Sequence, residues 1–206
     1  MLAAIARRRA LAGFALRPAG LRVLETIYLD TERRDLLRRR VALRLRSHRD
    51  GVELTIKLEG TVWGDVHRRT ELTWRLRRMP PLPLRPTGTR LRRMLRPWTG
   101  DRPLLPLVGT RIRRRTLLAH RPGVRRPIAE IALDRVEFFR PGDAAPPRRR
   151  VADLEVEIEL LGGDDADLER LVRALRDRYA LAPSRRSKLE RALRWAGISR
   201  PPRRAR

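Results

Sequence analysis

The sequence predicts an α+β fold centred on an antiparallel β-barrel or a strongly curved sheet. Three observations carry that prediction. Apolar and polar residues alternate at period two through about seven segments. Helical patterns are inserted between or appended after those segments, which argues against a βαβ fold. Short links with Pro, Gly or Asp, among them Asp50-Gly51 and Arg121-Pro122-Gly123, join them.

The elements follow in order. Leu2 to Leu11 reads as a short helix entering a loop at Arg17-Pro18. Leu21 to Leu29 alternates as a strand and ends at Asp30-Thr31. Thr31 suits a helix N-cap, with Glu32 and Asp35 near the start and Arg38, Arg39 and Arg40 at the end, as the helix dipole prefers. Val41 to Arg46 and Val52 to Leu58 form two strands around the turn His48 to Gly51. A strand at Arg68 to Leu76 runs into the Pro-rich stretch Met79 to Pro86, and Arg90 to Leu95 is a short basic helix. Strands resume at Leu107 to Ala119, Ile128 to Phe138 and Val151 to Leu161. Asp164 to Tyr179 is an amphipathic helix with Leu168, Leu171, Val172 and Leu175 on one stripe. Ser184 to Trp195 is a second helix. Residues 1–199 read as a single domain and 200–206 as a basic disordered tail.

Composition narrows the function. The 206 residues carry 50 Lys+Arg against 24 Asp+Glu, a formal charge of +26. Only Lys57 and Lys188 are lysines, so 48 of those 50 cations are arginine. The arginine excess reads as coding bias, which makes the two lysines worth following. At 41% hydrophobic the chain is not a disordered polycation. With no cysteine, disulfides, thiolate zinc sites and cysteine nucleophiles are excluded. No apolar run approaches the roughly 18 residues of a membrane span. Arg7, Arg8 and Arg9 interrupt the apolar start, which fails as a secretory signal. The expected location is the cytoplasm, with no membrane partner. Arginine runs such as Arg38 to Arg40 and Arg148 to Arg150 are scattered, and no specific nucleic acid is expected.

Charge recurs at period two on the strands. Arg44 and Arg46 share one face, Arg69 and Glu71 another, Glu130 and Asp134 a third, and Glu155, Glu157 and Glu159 a fourth. One such strand alone reads as a solvated face. Three carboxylates in a row repel unless cations or metals lie opposite. A barrel with a charged interior meets that need, its acids holding a hard divalent cation and its Arg and Lys gripping a polyanion. The histidines His48, His67 and His120 fall at strand ends and read as surface residues; Trp63, Trp74 and Trp98 read as core.

The same residues carry a family resemblance. Tyr28-Leu-Asp-Thr31, Leu43-Arg-Leu-Arg46, Leu54-Thr-Ile-Lys57, Arg69-Thr-Glu71, Ile128 to Asp134, Glu155 to Leu160 and Ser187-Lys188-Leu189 come in a fixed order. That order resembles the CYTH superfamily, the triphosphate tunnel metalloenzymes, from about residue 21 to 193. Its members include inorganic triphosphatases, thiamine triphosphatases, class IV adenylate cyclases and RNA triphosphatases. The resemblance implies an antiparallel eight-stranded β-barrel tunnel with inserted and C-terminal helices.

It also implies roles. Arg44, Arg46, Lys57, Lys188 and, among Arg111 to Arg115, Arg114 would contact the triphosphate. Asp134, Glu157 and Glu159 would hold Mg²⁺ or Mn²⁺, with Glu157 and Glu159 also catalytic. Glu155, Glu130, Arg69 and Glu71 would support them, and Tyr28 and Asp30 would be structural. The family's opening strand, Glu-x-Glu-x-Lys, has no counterpart, so the domain reads as N-terminally incomplete: either the start is assigned too far downstream, the favoured reading, or the protein lacks that part of the tunnel. A second departure is Thr73, where many members carry glutamate. The implied activity is metal-dependent hydrolysis of inorganic triphosphate or another triphosphate-containing substrate. The alternative is an inactive CYTH domain that binds polyphosphate or a nucleotide.

Overall fold

The computed structural model describes residues 1–58, 61–63, 66–68, 70–142, 153–184 and 186–199. In chain order its elements are α1 (Leu2–Ala6), β1 (Ala10–Leu11), β2 (Phe14–Asp30), α2 (Asp35–Arg38), β3 (Ala42–His48), β4 (Gly51–Lys57), β5 (Thr61–Trp63), β6 (Val66–Arg68), β7 (Glu71–Leu76), α3 (Thr89–Thr99), β8 (Leu105–His120), β9 (Ala129–Phe139), β10 (Asp153–Leu160), α4 (Asp165–Tyr179) and α5 (Lys188–Trp195). The main sheet has eight strands in the order β10-β9-β8-β2-β3-β4-β7, with β1 paired to β2; β5 and β6 form a separate hairpin. The α+β class with an eight-stranded antiparallel sheet agrees with the sequence. Closure does not: among the described residues the order is linear and ends at β10 and β7.

The chain divides into two compact units. The first comprises Met1–Val23, Ile112–Glu137 and Val151–Arg185; the second comprises Leu24–Arg111, Phe138–Arg150 and Arg186–Arg206.

In the first unit, period two sorts the strands into an apolar and a charged face. Leu117 and Ala119 of β8, Ile131 and Leu133 of β9, and Val156, Ile158 and Leu160 of β10 belong to one apolar cluster. Ile5 of α1, Phe14 and Leu16 of β2, and Leu171 and Leu175 of α4 complete it. The α4 stripe is the one the sequence shows, and Asp164 caps it: its side chain accepts the Asp167 N–H at 2.8 Å in a reciprocal capping box. The start of the chain differs from expectation. The helix ends at Ala6, and Ala12 and Gly13, with φ of 50° and 83°, turn β1 back onto β2. Arg17-Pro18 lies inside β2 rather than in a loop. A proline is tolerated at a strand edge, and Pro18 lies outside the registers that β1 and β3 make with β2.

The second unit repeats the sorting. Leu43 and Leu45 of β3, Leu54 and Ile56 of β4, Leu36 of α2, Leu95 of α3 and Leu104 form its core, with Trp74 and Trp98 packed against it. The helix after β2 starts at Asp35, later than Thr31 implied, because Asp30 does most of the capping. Its Oδ1 accepts the N–H of Thr31 at 2.7 Å and of Leu36 at 2.9 Å, and its Oδ2 that of Leu37 at 2.9 Å. Burial pushes the Asp30 carboxyl up from its ordinary value against those three donors. Beside it, Asp35 takes a hydroxyl bond from Thr31 at 2.6 Å and an ion pair from Arg102 at 2.9 Å. Ser187 caps α5 through a capping box with Glu190, so that helix begins four residues later than its sequence pattern. Helix α3 reaches Thr99 with Pro97 inside it, four residues beyond the expected Leu95.

His120 departs from its surface assignment. It is the last residue of β8, as expected, but it is only 5% exposed. His48 is half-buried between Asp50 and Glu53. The side chains of Trp63 and His67, the start of the last strand at Val151, and the tail at 200–206 lie outside the described residues.

Candidate functional site

The charged face of the first unit is built by the pairing of β9 and β10. Asp134 lies opposite Glu155, Ala132 opposite Glu157, and Glu130 opposite Glu159. One carboxylate oxygen each from Asp134, Glu155 and Glu157 lies within 4.8 Å of the other two. Asp134 is fully buried, whereas Glu157 is exposed. Glu159, two residues further along β10, is outside that group. Glu155, expected only in support, is inside it.

Arg114 reaches this group. Its Nε donates to Asp134 Oδ1 at 2.8 Å, and its Nη2 donates to Asp134 Oδ2 at 2.8 Å and Glu157 Oε2 at 2.6 Å. Its Nη1 is 3.9 Å from Glu130. Burial opposes the charge on Arg114, but the bonds and charges of Asp134, Glu157 and Glu130 outweigh it and raise its pKa. Of the arginines between Arg111 and Arg115, Arg114 is the one that meets these carboxylates. Arg111, Arg113 and Arg115 are exposed, and Arg111 bonds Glu25 at 2.9 Å. Arg114 thus meets three carboxylates, Glu130, Asp134 and Glu157, a formal excess of two negative charges (1 − 3) among these four residues.

The second unit carries the opposite excess. Rows across its strands read Thr26, Arg46, Glu53 and Arg75; Tyr28, Arg44, Thr55 and Thr73; and Ala42, Lys57 and Glu71. Thr26 accepts the Arg46 Nε at 3.1 Å, a positioning contact that alternation along β2 could have revealed. Lys57 donates to Glu71, and Arg44 Nη2 is 4.0 Å from the same carboxylate. Thr73, where the resemblance favours glutamate, pairs its hydroxyl with that of Thr55 at 3.2 Å. The rows thus carry Arg44, Arg46, Lys57 and Arg75 against Glu53 and Glu71, two positive charges in excess (4 − 2) among these six. Burial and the neighbouring Arg44 push the Lys57 pKa down to about 8, against the pull of Glu71. The Arg44 Nε is buried with no hydrogen-bond partner among the described residues.

Lys188 is in the same unit, 8% exposed at the first position of α5. A lysine there opposes the helix dipole. Arg69 lies outside the described residues.

Comparison with known proteins gives this arrangement a family. The model of the CYTH domain matches residues 4–193. No curated protein matches. Among solved structures, a putative adenylyl cyclase from Hippeastrum, described as having a dominant triphosphatase activity, aligns with a TM-score of 0.60 at 17% identity, over 88% of this chain and 85% of that one. A putative adenylate cyclase from Bacillus halodurans aligns with a TM-score of 0.56 at 14% identity, over 83% and 82%. A protein from Pyrococcus horikoshii OT3 aligns with a TM-score of 0.53 at 19% identity, over 89% of each chain. At those identities the likeness is one of fold, while the domain match spans nearly the whole sequence: the chain belongs to the CYTH domain family.

Proposed function

We propose that the chain hydrolyses a phosphoanhydride bond of inorganic triphosphate, or of another triphosphate-containing substrate, with Mg²⁺ or Mn²⁺. The observation that carries this reading is the buried Arg44 Nε, unpartnered among the described residues, within a cluster of excess cations. A buried donor without an acceptor is costly, and a phosphoryl oxygen is the acceptor that would satisfy it. Arg44, Arg46, Lys57 and Lys188 would bind the phosphoryl oxygens, with Arg46 steadied by Thr26. Glu71 would hold Lys57 and Arg44 in place.

The carboxylate group fits a hard divalent cation by its chemistry: three oxygen donors lie close together, one of them fully buried. Asp134, Glu155 and Glu157 would hold that ion, and Glu159 would complete the acidic face. A divalent ion there would supply the charge neutralisation that phosphoanhydride hydrolysis needs. Glu157 and Glu159, both exposed, would orient the attacking water as hydrogen-bond acceptors.

A second reading, an inactive domain that binds polyphosphate or a nucleotide, is favoured by one contact: Arg114 already neutralises Asp134 and Glu157. Phosphate release from tripolyphosphate, measured with Mg²⁺, Mn²⁺ or EDTA, separates the two. Hydrolysis should need the metal and fall at least about a hundredfold in Glu157→Gln. Tight binding of tripolyphosphate without release would establish the second reading. Release that ignores both EDTA and Glu157→Gln would overturn the first.

A further inference from the structure

The first unit has another surface, on the side of its sheet opposite Asp134, that its own helices leave open. Strands β10, β9, β8 and β2 are neighbours in that order. Leu154 of β10 is 53% exposed and pairs with Arg135 of β9. Leu21 and Val23 of β2 are 66% and 54% exposed. These are the three large exposed hydrophobic residues carried by strands among the described residues.

They share one side with three arginines. The Arg114–Asp134 bridge sets β8 against β9 and turns Arg113, Arg115 and Arg135 to the opposite side. The Arg111–Glu25 bridge does the same for β8 and β2, and Leu21 and Val23 have the parity of Glu25. A row therefore crosses four strands from Leu154 through Arg135 and Arg113 to the β2 aliphatics. Three strand spacings make it about 14 Å wide, the length of roughly nine residues of helix. The neighbouring stretch of this side, at Leu117, Ile131 and Leu133, is already covered by α4. The open row continues that surface.

We propose that this row docks an acidic amphipathic helix of a partner protein. Its apolar stripe would rest on Leu21, Val23 and Leu154, and its carboxylates would meet Arg113, Arg115 and Arg135. Charge complementarity selects that occupant. The acid beside Arg135 is Glu137, 4.0 Å away and only 19% exposed, so the row is dominated by cations. A second copy would bring the same arginines together in a chain of charge +26. Nucleic acid would place phosphates against exposed leucine and valine. An added strand along β2 would meet Pro18, which has no N–H to give.

The test uses the full chain and a labelled peptide of roughly 18 residues with leucines on one helical stripe and glutamates elsewhere. Controls are a peptide of the same composition with the stripe scattered, and single-stranded DNA. Fluorescence anisotropy should show the striped peptide binding at least tenfold tighter than the scattered one. Leu21→Ser with Leu154→Ser should weaken it at least tenfold, and Arg113→Glu with Arg115→Glu should abolish it. Arg90→Glu with Arg93→Glu on α3 should leave it unchanged. Should a variant fail to fold by circular dichroism, hydrogen exchange on the unmodified chain takes its place, with protection required at residues 21–23, 113–115, 135 and 154. Equal binding of the two peptides, an equal loss from the α3 charge reversal, or displacement by DNA indifferent to the leucine changes would reduce the surface to general polyanion attraction. A dimer in sedimentation that Leu154→Ser dissolves would overturn the proposal in favour of self-association.

Discussion

Arg114 closes on both carboxylate oxygens of Asp134, with Nε and Nη2 each 2.8 Å from its partner oxygen. Asp134 is fully buried, so the pair resists separation far more than an exposed bridge would. Arg114→Met should lower stability by about 3–5 kcal/mol, because it strips a buried carboxylate of its bidentate cation. Mg²⁺ or Mn²⁺ should restore part of that loss, since a divalent ion can neutralise the same carboxylates. Urea melts of Arg114→Met with the ion and with EDTA measure both effects. A melt matching the unaltered chain would show that the pair contributes nothing to the fold.

Lys57 makes anion binding sensitive to pH. Its pKa is about 8 instead of 10.5, through burial and the adjacent Arg44. Below about 8 the side chain is charged and can hold a phosphoryl oxygen; as the pH rises through that value the charge is lost. The sign for stability is opposite. The unfolded chain keeps its proton up to about 10.5, so this residue's contribution to stability increases between pH 8 and 10.5. Tripolyphosphate affinity by calorimetry should therefore fall between pH 7.5 and 9, and Lys57→Arg should flatten the fall. An identical pH profile in Lys57→Arg would remove Lys57 from the binding reading.

Alternation made the faces legible from sequence, because a side chain's side of a sheet depends only on its parity. Arg44 and Arg46, and the three glutamates of β10, needed nothing more. Arg113, Arg114 and Arg115 offer no alternation of their own, so the strand's phase waited on Asp134 to select one of them. Membership of the carboxylate group depends on the register of β9 against β10, which puts Glu155 rather than Glu159 opposite Asp134. A single strand's sequence does not contain that register. Thr31 and Asp30 are both plausible caps by type; the path of the chain brings the Leu36 and Leu37 N–H groups to Asp30.

Gly109 in β8 is required by packing rather than by backbone conformation. A Cβ at this position would strike the tip of the Phe139 ring of β9, at Cζ, Cε1 and Cε2. Gly109→Ala should lower stability by about 1–3 kcal/mol, the range for forcing an extra group into a packed site. Adding Phe139→Leu should recover part of that loss, because it removes the ring that the methyl strikes. Thermal melts of the single and double variants decide it. Strictly additive losses would mean that the two side chains do not compete for the same space.

Glu157 and Glu159 point the same way along β10 but should not respond alike to removal of charge. Glu157 belongs to the close carboxylate group and touches Arg114 at 2.6 Å; Glu159 pairs across with Glu130 and lies outside the group. Glu157→Gln should therefore weaken Mn²⁺ binding at least tenfold, as should Glu155→Gln. Glu159→Gln should leave Mn²⁺ affinity within about threefold while lowering turnover of tripolyphosphate, since orienting a water needs the carboxylate but holding the ion does not. Electron paramagnetic resonance of free Mn²⁺ measures the first quantity without any reaction, and phosphate release measures the second. If Glu159→Gln loses Mn²⁺ as severely as Glu157→Gln, the ion sits further along β10 and the ligand set shifts to Glu157, Glu159 and Glu130.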